Sequence, residues 1–110
     1  MLTIDTLQEN PYWIVQLDGE IDASNSVNLD AAIQDLLQNQ PQHILVDCTK
    51  LDYISSAGLG VFMSYLEEFQ DKNIRLVIFG LKEKVFQVFH ILGLDQLINI
   101  KPDKIAAIQA

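Results

Sequence analysis

Apolar residues follow two rhythms along this chain, one short and alternating, the other helical. Leu2 to Leu7 and Tyr12 to Leu17 are short segments rich in β-formers, separated by Gln8-Glu9-Asn10-Pro11. The Asn-Pro pair signals a turn, so the two segments predict an antiparallel pair. Tyr12, Trp13, Ile14, Val15 and Leu17 give the second strand at least one covered face. Asp18-Gly19-Glu20 can close a hairpin, but the stretch IDASNS after it is short and polar. It therefore reads as a loop leading into a helix. From Ser24 to Gln38, Leu29, Ala32, Ile33, Leu36 and Leu37 recur at helical spacing, and Asn39-Gln40-Pro41 ends the segment.

The second half alternates more regularly. His43 to Cys48 carries the consecutive aliphatics Ile44, Leu45 and Val46 and reads as a central strand. After a brief connection, Leu59, Phe62, Met63, Leu66 and Phe69 mark one helix face. Ile74 to Phe79 predicts a buried strand. Lys82 to Leu92 predicts a helix with Val85, Phe86, Val88, Phe89 and Leu92 facing inward and Gly93 closing it at C′. Leu97 to Ile100 predicts a weak strand, and Pro102 is placed as the N1 residue of a last helix through Ile108. The order β-β-α-β-α-β-α-β-α defines an α/β domain spanning residues 1–110. Its central sheet is mixed and mostly parallel, with about four or five strands and about four flanking helices.

Composition narrows the functions such a domain can have. The chain has 110 residues, 49% of them hydrophobic, enough for one core and one domain. Seven basic residues against 15 acidic ones give a net charge of −8. That excludes a nucleic-acid surface or docking on an anionic leaflet, both of which need clustered Lys and Arg, and permits a basic protein partner. The one cysteine, Cys48, lies in an apolar run and has no internal disulfide partner. A buried reduced thiol points to the cytoplasm. No run of 18 apolar residues occurs, and MLTIDTLQEN lacks the basic region of a signal peptide.

Catalytic and metal chemistry find little support. His43 and His90 stand outside any Cys/His/Asp spacing of metal ligands. Gly58-x-Gly60 lacks the third glycine and the following Lys of phosphate-gripping loops. Ser55 and Ser56 lack the G-x-S-x-G elbow of hydrolases. Acids gather as Asp18, Glu20 and Asp22 after the second strand, and as Asp47 and Asp52 around the end of the third. Both groups map to the C-terminal edge of a parallel sheet, where α/β proteins place sites, and solvated loop acids fit the same positions. No cofactor is implied, and the chain reads as a non-enzyme.

The stretch DYISSAGLG, Asp52 to Gly60, is the informative one. Either Ser55 or Ser56 can accept a hydrogen bond from an early helical N–H. A phosphate at the same end would meet exposed N–H groups and the positive end of the helix dipole, beside Asp52 and the Asp22 cluster. The glycines point to close backbone approach or to access for something reaching the hydroxyl.

DYISSAGLG with the preceding ILVDCTKL strongly resembles the signature of STAS domains, the family of anti-sigma factor antagonists. Asp18 to Asp22 (DGEID), Asn73 to Leu76 (NIRL) and Leu92-Gly93-Leu94 match further family features in order, over nearly the whole chain. The resemblance implies a protein-binding switch. Unphosphorylated, it would bind a serine-kinase anti-sigma factor or a related regulatory kinase; phosphorylated, it would be released, and a PP2C-like phosphatase would restore it. Ser56 falls on the phosphoacceptor position, with Ser55 the secondary candidate. Ser55 stands where relatives carry an acid, and Ala57 where they carry a small hydroxyl residue. The implied partner surface comprises Asp18, Glu20, Asp22, Asp52, Ser55, Ala57, Gly58, Leu59 and Gly60. The resemblance equally accommodates a STAS module in another bacterial signalling circuit, without a direct sigma-factor output.

Overall fold

The computed structural model describes residues 1–110. Five strands form one sheet in strict chain order: β1 (Leu2–Glu9), β2 (Tyr12–Ile21), β3 (His43–Ile54), β4 (Arg75–Phe79) and β5 (Asn99–Lys101). β1 pairs antiparallel with β2, and the remaining pairs are parallel. The parallel crossovers are α1 (Ser26–Leu37), α2 (Ser56–Asp71) and α3 (Glu83–Ile91), the last followed by a 3-10 turn at Leu94–Gln96. A closing helix, α4 (Lys104–Gln109), completes the mixed, mostly parallel sheet flanked by four helices that the periodicity predicts.

Alternation along the strands sends side chains to two unequal cores. Val15, Leu17, Ile21, Ile44, Val46 and Ile54 meet Leu29, Ile33 and Leu36 of α1, Leu59, Phe62 and Phe69 of α2, and Val85 and Phe89 of α3. On the other face Ile14, Leu45, Val77 and Phe79 meet Ala107 of α4. Each large side chain so buried contributes about 1.5–3 kcal/mol before the entropy of ordering is subtracted.

Four expectations are corrected. Asp18-Gly19-Glu20 is strand, because β2 continues to Ile21, with Glu20 opposite Tyr53 and Ile21 opposite Ile54 across register irregularities at Gln16/Asp18 and Gly19/Glu20. The irregularity needs a glycine: Gly19 has φ +112°, and a Cβ there would lie 2.1 Å from the Met1 carbonyl oxygen. β3 likewise runs to Ile54, so the expected connection after Cys48 is ladder, and Asp47 lies in mid-strand. Pro102 is not N1 of the last helix. Asp103 caps it instead, its carboxylate accepting from the Ala106 N–H at 2.9 Å. Leu92, expected inside, is exposed at the C-cap of α3, with Gly93 following at φ +74° as the C′ position requires.

Candidate functional site

The parallel ends of β2 and β3 and the first turn of α2 make one corner. Ile21 and Ile54 are paired, and the Ser55 N–H donates to the Ile21 carbonyl at 2.8 Å, holding the strand end as the chain turns into the helix. Ser55 is the N-cap: its backbone is extended, and its Oγ accepts from the Gly58 N–H at 3.2 Å. Its carbonyl accepts the Leu59 N–H at 3.0 Å, the first bond of the helix ladder. Ser56, the first helical residue, is exposed, and its hydroxyl takes no part in the cap. As at any helix start, the first N–H groups of α2 have no partner within the helix ladder, and that of Gly58 is satisfied by Ser55.

The two glycines of the motif have different surroundings. Gly58 is buried, and a Cβ there would fall 2.6 Å from Ile21 Cγ2 and 2.9 Å from Ile54 Cγ1. The helix can rest on the strand ends only without it. Gly60 is exposed and faces open space. Leu59 and Phe62 are core residues; Leu66 is half-buried, and Met63 is 48% exposed. Deeper in the helix, the Tyr65 hydroxyl donates to Asp30 Oδ1 at 2.5 Å and ties α2 to α1. Burial and that bond push the Tyr65 pKa up to about 12.

The acids of the corner are not equivalent. Asp22 Oδ1 accepts from the Ser24 hydroxyl at 2.6 Å, the Ser24 N–H at 2.9 Å and the Asn25 N–H at 3.1 Å. The Ser24 hydroxyl leads in holding this carboxyl below its ordinary range. Asn25 answers, its Oδ1 accepting from the Asp22 N–H at 2.8 Å and its amide donating to the Glu20 carbonyl at 3.0 Å. Asp22 is thus a brace for the turn into α1. Asp52 is paired with Lys82, whose hydrogen bond and charge lower its pKa, with Lys84 adding to the effect. Glu20 is exposed on β2 opposite Tyr53. Asp18 departs from the group: it lines a polar cleft of about 80 Å³ with Asp5, Gln16, Asp47, Thr49 and Lys50, on the sheet face turned away from α2.

Asn25 and Lys82 were not singled out from the sequence. An Asx turn is legible in the three-residue spacing of Asp22 and Asn25. Lys82 comes from thirty positions beyond Asp52, and no local pattern announces it. No group of three or more His, Cys, Asp and Glu side chains is arranged to hold a metal ion. His43 packs against Tyr12, and His90 Nδ1 lies 2.8 Å from Asp95 Oδ2. Cys48 is buried in β3, and burial pushes its thiol far above the ordinary value.

The corner thus displays, at the start of α2, an exposed serine whose hydroxyl takes no part in the cap. The family model described as STAS domain matches residues 3–107, and the chain belongs to that family, among the anti-sigma factor antagonists. Its members are regulatory, non-catalytic proteins. The chain is 34% identical over 83 residues to the anti-sigma-B factor antagonist of Listeria monocytogenes, covering 76% of this chain and 73% of that one. Its fold matches the crystal structure of an anti-sigma factor antagonist from Mycobacterium paratuberculosis with a TM-score of 0.91 at 20% identity, covering 99% of this chain and 92% of that one. It also matches the Bacillus cell fate determinant SpoIIAA in its phosphorylated form, with a TM-score of 0.71 at 18% identity and coverage of 99% and 97%.

Proposed function

We propose that the chain is a cytoplasmic phosphorylation-switched antagonist that binds a serine-kinase anti-sigma factor through the Ser56 corner and is released when Ser56 is phosphorylated. The observation that carries this reading is the division of the two serines. Ser55 spends its oxygen on the Gly58 N–H, while Ser56 is exposed one residue further on, its hydroxyl free of the cap. In the transfer, Ser56 Oγ attacks the γ-phosphorus of ATP held by the kinase. The bond to the bridging oxygen of ADP breaks, and the hydroxyl proton passes to a base of the kinase. A PP2C-like phosphatase reverses the state by delivering water to the phosphorus.

The folded domain tolerates the product. A phosphate on Ser56 lies at the N-terminus of a 16-residue helix, where N–H groups and the dipole favour negative charge. It adds about −1.5 to −2 charges at a surface already carrying Glu20 and Asp52. The effect therefore falls on the partner, which meets charge where it met a hydroxyl.

Incubation with the cognate serine kinase and ATP, followed by intact-mass measurement and site mapping, tests the assignment. One phosphate is expected on Ser56, absent in Ser56→Ala and retained in Ser55→Ala. Exclusive labelling of Ser55 would overturn the choice of serine. Equal affinity of the phosphorylated and unphosphorylated chains for the kinase would overturn the switch.

A further inference from the structure

The charge of −8 is not spread along the chain. Residues 1–49 hold eight acids and no Lys or Arg, while all seven basic residues lie from Lys50 onward, among the other seven acids. The whole surplus therefore belongs to β1, β2, α1 and the start of β3. These form one side of the molecule, because the strands stand in chain order. At its margin Glu9 is held by Lys104 at 2.7 Å, but Asp5 and Asp35 have no ion pair.

The same side ends in an open strand edge. β1 keeps one register with β2 over eight residues and contains no proline, lysine or bulge, the usual guards of an edge. The opposite edge, β5, has only three residues and is followed by Pro102. The Glu20 N–H donates to the Met1 carbonyl at 3.0 Å, which makes Met1 and Glu20 a hydrogen-bonded pair. Bonded pairs alternate along an antiparallel ladder. The uniform register then turns the N–H and C=O of Leu2, Ile4, Thr6 and Gln8 outward, and no other segment of the chain bonds them. Beside that row, Leu2, Ile4 and Thr6 face Ala31, Ala32 and Asp35 of α1 across an open cleft of about 500 Å³. The alanines are small, so α1 leaves room there for the side chains of one more strand.

We propose that β1 is a docking edge for an extended, cationic segment of a protein partner, which adds to the sheet as a sixth strand. Alternate side chains of that segment, aliphatic and of modest size, enter the cleft over Ala31 and Ala32. The others, lysine or arginine, stand on the opposite face beside Asp5, with Asp18 behind it. A second copy of this chain is the poorer occupant: it brings the same acids to the same line, and two negative sides repel. The edge lies two strands from β3, which leads into Ser56, so the proposal stands independently of the Ser56 switch.

The probe is the end-capped octapeptide Lys-Val-Lys-Val-Lys-Val-Lys-Val, titrated into the isotope-labelled chain and followed by amide NMR. The amides of Leu2, Ile4, Thr6 and Gln8 are expected to shift and to gain protection from exchange, and those of Asn99 to Lys101 on the other edge to stay unmoved. The counterpart with Glu in place of Lys is expected to bind about 100-fold more weakly. Only alternate N–H groups of an added strand face β1. N-methylation of the valines alone, or of the lysines alone, is therefore expected to weaken binding about tenfold in one case and little in the other. Ala31→Arg, at an exposed position of α1, is expected to weaken binding about tenfold with Tm unchanged, and Asp5→Asn about threefold. Thr6→Pro, which removes an outward N–H and leaves the β1–β2 ladder its bonds, is expected to weaken it about tenfold. The proposal is overturned if the peptide does not bind, if both methylated forms bind as the parent does, or if Ala31→Arg and Thr6→Pro both bind as the wild type does. Sedimentation of the chain alone is expected to show a monomer. A dimer that protects the same four amides would give the edge to a second copy and overturn the cationic partner.

Discussion

Of two adjacent hydroxyls at a helix start only one is engaged by the fold here, and the difference is measurable without any partner. Ser55 satisfies an otherwise orphan N–H at Gly58, so Ser55→Ala is expected to cost about 1 kcal/mol in urea unfolding. Ser56→Ala removes an exposed hydroxyl that bonds nothing in the cap and is expected to change stability by less than about 0.5 kcal/mol. Stability left intact in Ser56→Ala makes that variant a clean probe of the proposed switch. Asp22 supplies a second residue-scale test. Its carboxyl titrates lower folded than unfolded, chiefly because of the Ser24 hydroxyl. Its contribution is whole above the unfolded value of about 3.9 and disappears as pH falls through the lower folded value. The Tm difference between wild type and Asp22→Asn is therefore expected at pH 7 and to shrink below about pH 4.

At the scale of elements, the corner depends on how closely α2 rests on β2 and β3. Gly58→Ala would press a Cβ against Ile21 and Ile54, both buried and with no room to move. It is expected to cost about 1–3 kcal/mol by denaturant unfolding, whereas Gly60→Ala, where a Cβ would meet open space, is expected to stabilise. The helices were legible because their apolar positions keep a 3.6-residue period: Leu29, Ile33 and Leu36 are core as their spacing predicts, and so are Phe62 and Phe69. The C-terminal ends of β2 and β3 were not. Asp18-Gly19-Glu20 and Lys50 carry loop-forming side chains, yet their backbones are held in the ladder by the strand alongside. Pairing between distant segments overrides local preference there, and no window of one strand contains it. The motif's outline was readable for the same local reason as the helices, but Met63 and Leu59 lie on faces that only packing separates. The acid cluster divided for a third reason: strand alternation carries Asp18 to the sheet face opposite α2 while Asp22 stays to brace the turn.

Across the whole molecule, the charge of −8 acts at distances where no single contact does. A basic-rimmed partner approaching the Ser56 edge is drawn in by that field, and salt screens it over about 10 Å at 0.1 M. Association measured by stopped flow is expected to slow severalfold between about 0.05 and 0.5 M NaCl, with dissociation changing less. The order of the sheet has a further consequence, one that concerns synthesis. Every strand pairs with its neighbour in the chain, so the sheet can be laid down in the order in which it leaves the ribosome. Glu20, the Asp22 brace, Ser55, Ser56, Gly60 and Met63 all belong to the first two-thirds of the chain, and their strands can pair before β4 exists. Lys82 is the exception, reaching Asp52 only after β4 has emerged. A nascent chain thus presents the acidic corner with Asp52 still uncompensated, and the completed domain is the first form in which the corner carries its final charge.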